Sequence, residues 1–73
     1  MYKLKIINFY KKGNDKIIEW QIVDENGNVI HKQTDYWGLD VSNKLIRRET
    51  KNMAKFIISQ LEKREYKTWE EEL

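Results

Sequence analysis

Seventy-three residues make a single domain, residues 1–73, carrying 14 lysines and arginines against 12 aspartates and glutamates. Without a cysteine there is no disulfide staple and no thiolate metal site, so the chain holds itself by packed apolar residues, with oligomerisation as the usual supplement. A charged content of 36% with a net charge of only +2 describes a solvated globular surface, not a polycationic tail or an acidic disordered segment.

The opening Met1-Tyr2-Lys3-Leu4-Lys5-Ile6-Ile7 holds no apolar run of signal-peptide length, and no later stretch has the length and apolarity of a membrane span. The expected location is therefore cytoplasmic, with no membrane contact. Lysine, isoleucine and asparagine are abundant, and Ala54 is the only alanine. That bias is associated with AT-rich coding sources such as low-GC bacteria and their phages.

The first element reads as a strand. Leu4 and Ile6 share one face, with Lys3 and Lys5 on the other. Asn8 then interrupts the apolar face while Ile7 and Phe9 load the opposite one. A bulge near Ile7, or a strand apolar on both sides, accounts for the change. Lys11-Lys12-Gly13-Asn14-Asp15 is dense in turn residues and ends the strand.

Lys16 to Asp24 is the clearest strand, with Ile18, Trp20 and Ile22 on one face and Glu19 and Gln21 on the other. The turn Asp24-Glu25-Asn26-Gly27-Asn28 admits two registers. A two-residue Asn26-Gly27 loop sets Ile22 against His31 and Trp20 against Gln33. A three-residue loop with Gly27 in the left-handed conformation sets Ile22 against Ile30 and Val23 against Val29. The second pairs apolar with apolar and is preferred. It gives a third strand from about Asn28 to Thr34, with Tyr36-Trp37-Gly38 breaking the pattern.

From about Leu39 the period becomes helical. Ile46, Thr50, Met53, Ile57 and Leu61 form one stripe at spacings of three and four, and Lys44, Arg48, Lys51 and Lys55 form another on the opposite side. Together they predict a helix from about Asn43 to Glu65, capped by Ser42 or Asp40. Thr50 is a competing cap that would split it in two. The tail, Tyr66 to Leu73, has two aromatics followed by three acids and is left unassigned.

The expected fold class is α+β: a three-stranded antiparallel β-meander packed against one C-terminal amphipathic α-helix (βββα). Its expected core sets Leu4, Ile6, Ile18, Trp20, Ile22 and Ile30 against Ile46, Met53, Ile57 and Leu61.

Catalysis finds little support. His31 is the single histidine, and a lone strand histidine is usually a surface or edge residue. No Gly-rich phosphate loop or metal-ligand cluster accompanies it. Asp35 and Asp40 flank the aromatic turn, where carboxylates normally shape turns and cap helices. The expectation is a protein that is not an enzyme and uses no cofactor.

The basic stripe is the best functional signal. Residues 44–67 hold eight basic side chains and three acidic ones. Lys44, Arg48, Lys51 and Lys55 would touch several phosphates or an acidic protein surface, although a lysine-rich helix face also serves simply to keep a protein in solution. Thr50-Lys51-Asn52-Met53-Ala54-Lys55-Phe56-Ile57 resembles the helix start in the arm-site DNA-binding domains of tyrosine recombinases. Those domains are three strands followed by a helix, with the sheet set in the DNA major groove. The resemblance spans eight residues and the element order, and no function is carried over from it.

A second signal is spare apolar surface. Ile17, Val23 and Val29 fall on the sheet face opposite Trp20, along with Ile7 and Phe9 if the first strand stays in phase, and Ile58 falls on the basic side of the helix, away from the core stripe. Several such residues together suggest a contact surface, either for a partner or for a homodimer through the outer sheet face. A tail folded back through Tyr66 and Trp69 would cover the same face. Tyr36 and Trp37 suit a recognition loop, or Trp37 plugs the end of the core.

The expected binding residues are therefore Lys44, Arg48, Lys51, Lys55, Ile58, Tyr36 and Trp37. The expected function is a small inhibitor or adaptor, phage or mobile-element encoded, acting on a bacterial host protein or nucleoprotein complex in the manner of an anti-defence protein. Direct nucleic-acid binding through the helix is the alternative.

Overall fold

A computed structural model describes the backbone of residues 1–67 and the side chains of residues 1–63. Strands β1 (Lys3–Lys12), β2 (Asp15–Val23) and β3 (Val29–Gly38) form one antiparallel sheet in the order β1-β2-β3, followed by helix α1 (Asn43–Lys67). This is the βββα architecture expected from the sequence. No helix among the described residues is long and apolar enough to cross a membrane.

A two-residue loop joins β1 to β2 between the paired Lys12 and Asp15. Gly13 takes φ 60° there, a left-handed backbone that L side chains resist. The pairing slips between Ile6 and Asn8, so Ile7 is the extra residue of a β-bulge. The bulge resets the alternation. Leu4, Ile6 and Phe9 lie opposite Ile22, Trp20 and Ile18, and Phe9 returns to the core face.

The second turn realises both registers. Gly27 has φ 84°, and Val23 pairs with Val29, as a three-residue loop requires. The ladder then shifts, and Ile22 pairs with His31 and Trp20 with Gln33, the register of the two-residue loop. Ile30 is the extra residue. Apolar matching favoured Ile30 as a core partner of Ile22; the shift instead puts it at the sheet surface, 42% exposed. Asp24 holds the turn. Its Oδ1 accepts from the backbone N–H groups of Asn26 and Asn28, each at 2.9 Å, and its Oδ2 accepts from Asn28 Nδ2 at 3.2 Å. These bonds, led by that from the Asn28 backbone, hold the Asp24 carboxyl below its ordinary pKa.

Strand β3 runs on to Gly38, past the expected end at Thr34. Tyr36, Trp37 and Gly38 pair with Ile17, Lys16 and Asp15. The aromatic stretch expected as a turn is therefore regular strand, with Tyr36 turned outward and Trp37 inward. Helix α1 begins where Ser42 Oγ accepts from Leu45 N–H at 3.1 Å, so Ser42 is the cap. The helix continues through Thr50 without a break. The eight residues that resemble a recombinase helix start thus lie inside the helix, not at its start.

The core is Ile18, Trp20 and Ile22 of β2 against Ile46 and Ala54 of α1, with Leu4, Phe9, Trp37, Val41, Met53, Ile57 and Ile58 packed around them. Thr50 is fully buried among these groups. Ala54 sits on the core side, where a small side chain lets the helix approach the sheet closely. The outer sheet face is more closed than expected: Ile17 and Val23 are buried, while Val29 remains exposed. Ile17 lies in a cross-strand row between Tyr10 and Tyr36. The side chains of Tyr66 and Trp69, expected to cover this face, lie outside the described residues.

Candidate functional site

A helix with its side chains is about 10 Å across. Three strands spaced by about 4.8 Å present a face some 14 Å wide. One helix laid along β2 therefore seals the central strand and leaves a strip of inner sheet face open on either flank. The two strips differ in chemistry.

On the β1 flank, Leu4, Ile6, Phe9 and Ile18 form the floor of a groove of about 420 Å³, rimmed by Arg47 and Lys51 of α1. Ile6, expected in the core, lies on the correct face but is 45% exposed, because the helix does not reach over it. Phe9 also borders an adjoining hollow lined by Tyr10, Lys11, Lys16 and Asn43. No carboxylate lines either depression. Lys16 is fixed there, donating to Val41 O at 2.7 Å and to Asn43 Oδ1 at 2.9 Å.

The β3 flank is lined by Ile30, His31, Phe56, Ile57, Gln60 and Leu61. No lysine or arginine contributes to it. Phe56 is 65% exposed there, an apolar feature that the stripe reading passed over because Phe56 lies outside the core spacing.

The expected binding residues divide accordingly. Lys44, Arg48, Lys51 and Lys55 are all exposed on α1. Arg48 points nearly straight away from the buried Ile46, Thr50 and Ala54, while Lys51 is turned toward the sheet's β1 edge. Arg47 and Lys51 are one turn apart and overhang the groove, and Lys44 and Ile58 share that flank at seven residues either side of Lys51. Arg47 was missed because it falls between the two stripes; its spacing of four from Lys51 was the available signal. Ile58, expected away from the core, is half-buried and packs against it, and its remaining surface borders a separate hollow with Lys55, Ser59, Glu62 and Lys63. Trp37 also packs on the core. Tyr36 is 67% exposed on the outer face and is separated from the basic residues by the thickness of the sheet.

The one described salt bridge in α1 is Arg48 Nε to Glu49 Oε1 at 3.9 Å between exposed side chains, too long and too wet to neutralise much. Among the described residues, Lys44, Arg47, Lys51 and Lys55 have no carboxylate partner, which leaves their charge available to a ligand.

The residues considered for catalysis have structural positions. His31 Nε2 is 2.8 Å from Gln33 Oε1, and its ring lies 5.4 Å from that of Trp20. Gln33 Nε2 donates to Asp35 Oδ1 at 2.8 Å and contacts Met53 Sδ at 3.0 Å. With the Gln33 amide nitrogen so engaged, its oxygen faces His31 Nε2 and accepts a hydrogen bond from it when Nε2 carries the hydrogen. Asp35 Oδ2 accepts from Trp20 Nε1 at 2.9 Å, so both its oxygens are in use. No three His, Asp or Glu side chains among the described residues are grouped to hold a metal ion.

No model of a protein family, no curated protein and no solved structure matches the chain.

Proposed function

We propose that this chain is a small non-catalytic binding protein that docks through its β1 flank onto an acidic surface of a partner protein or nucleoprotein complex and acts as an inhibitor or adaptor. The observation that carries this reading is the pairing of an open apolar floor, with Ile6 45% exposed, and a cationic rim, Arg47 and Lys51, in one groove. Apolar anchors seated among complementary charges are the usual make-up of a protein contact. A phosphate backbone calls for the cations but gains little from the aliphatic floor. Small size and the AT-rich composition favour a phage or mobile-element protein directed at a host defence complex.

Affinity purification of the tagged chain from its source cell tests this reading. It predicts a stoichiometric partner that is lost with Ile6→Asp and with the pair Arg47→Glu and Lys51→Glu, while Tyr36→Ala on the far face retains it. Retention of the partner by both groove variants would refute the site.

The exposed basic run of Lys44, Arg48, Lys51 and Lys55, in which only Arg48 has a carboxylate neighbour, Glu49 at 3.9 Å, favours direct nucleic-acid binding as the second reading. Four phosphate contacts predict that log affinity falls against log salt with a slope of about −3 to −4. Absence of binding at low salt would remove this reading and leave the first intact.

A further inference from the structure

We infer that, in the isolated protein, the groove on the β1 flank is occupied by the segment Trp69-Glu70-Glu71-Glu72-Leu73 of a second copy of this chain. The inference rests on reading that groove as a contact surface and names a ligand for it. The segment supplies an aromatic ring, three successive carboxylates and a leucine. The groove supplies an aliphatic and aromatic floor, with Arg47 and Lys51 at its rim and Lys11 and Lys16 in the adjoining hollow. The match is of charge sign and of apolar content together. The opposite strip, along β3, has exposed Ile30 and Phe56 but no lysine or arginine among its lining residues. It has nothing of fixed charge to meet three carboxylates.

Geometry decides between the chain's own groove and another's. Helix α1 runs to Lys67, and sixteen residues of helix separate Lys67 from Lys51, an axial distance of about 24 Å. Trp69 lies two residues beyond Lys67 and Glu72 five, reaches of at most about 7 Å and 17 Å for extended chain. Trp69 cannot return to Lys51, Glu72 meets it only with chain and both side chains at full stretch, and Arg47 is a further turn away. A second copy set antiparallel removes the mismatch: each helix delivers its acidic segment to the other's groove, a closed two-fold arrangement that uses both sites and leaves none to propagate. A partner protein with an acidic, aromatic segment would then compete with self-association for the same groove.

Light scattering on the full chain at low salt, across a concentration series, tests the inference through charge reversal. The wild-type chain is expected at twice its monomer mass of 9.0 kDa. A groove variant, Arg47→Glu with Lys51→Glu, and a tail variant, Glu70→Lys with Glu71→Lys and Glu72→Lys, are each expected to be monomeric with unchanged circular dichroism. Their equimolar mixture is expected to restore the doubled mass, because each chain then offers the charge that the other lacks. Trp69→Ala is expected to weaken the dimer at least tenfold. A monomeric wild-type chain at every concentration, a dimer that survives in either reversed variant, or a mixture of folded variants that stays monomeric would overturn the inference. If the wild-type chain is monomeric but Ile6→Asp still abolishes partner capture, self-association fails while the proposed function stands. If the dimer forms as described but capture is indifferent to Ile6→Asp, the converse holds.

Discussion

The indole Nε1–H of Trp20 donates to Oδ2 of Asp35 at 2.9 Å across the β2–β3 pair, so the bulkiest fully buried side chain of the core is tied to a carboxylate. Gln33 and His31 continue the chain of hydrogen bonds along the same face of β3. A buried indole normally requires a partner for its N–H. Trp20 meets it through Asp35, whereas Trp37 Nε1, also buried, has no partner among the described residues.

Trp20→Phe should therefore cost more than lost area. It removes the donor, leaves Asp35 Oδ2 unpaired and opens a void under α1, for about 2–3 kcal/mol in all. In a domain of this size that lowers the melting temperature by roughly 10 °C or more. A double-mutant cycle with Asp35→Ala, read by thermal denaturation, should show coupling of about 1 kcal/mol or more. Strict additivity would mean that the bond contributes nothing.

The same bonds show where sequence patterning reaches its limit. Ile18, Trp20 and Ile22 announce their face because strict alternation on a central strand leaves one reading. The helix was legible for the same reason: Ile46, Thr50, Met53, Ile57 and Leu61 keep one phase over several turns. On β3 the polar residues His31, Gln33 and Asp35 face inward, and Ile30 lies at the bulge. Hydropathy alone reads that strand in the wrong phase, since the inward polar groups are satisfied by one another. The basic stripe was legible, but the overhang of Lys51 and Arg47 at the β1 edge was not. That depends on where a single helix settles on a wider sheet, which no local pattern encodes. Ile6 illustrates the point: its face is correct, and its exposure follows from the width of the layer above it.

The β3 register can be checked by substitution. Ile30→Thr, at a surface bulge, should change stability by no more than about 0.5 kcal/mol. Ile22→Thr, in the sealed core, should cost about 2 kcal/mol or more through a lost methyl and a buried hydroxyl. Equal costs in urea denaturation would restore the Ile22–Ile30 pairing.

Thr50 is fully buried, and its Oγ1 has no hydrogen-bond partner among the described residues. Thr50→Val keeps the shape and removes a desolvated hydroxyl, so it should stabilise the protein by about 1 kcal/mol, or roughly 4–8 °C in melting temperature. A lower melting temperature would show that the hydroxyl is satisfied.

Asp24 makes the β2–β3 turn sensitive to acid. Its folded pKa is depressed below the ordinary value of 3.8 by hydrogen bonds to the ionised form, chiefly from Asn28. Its contribution is therefore present above that ordinary value and is lost as pH falls through the lower, folded one. Asp24→Asn should remove this component, so the stability difference between wild type and variant should shrink as pH drops below 3.8. A difference independent of pH would mean that the carboxylate charge is immaterial to the turn.

The β1 flank is the proposed contact surface. Amide hydrogen exchange, followed by mass spectrometry on the chain with and without its captured partner, addresses it most directly. Added protection is expected on β1 between Leu4 and Phe9 and on α1 between Arg47 and Lys55, with β3 unchanged around Ile30. Protection confined to β3 and the Phe56 side of the helix, or none on β1, would contradict it.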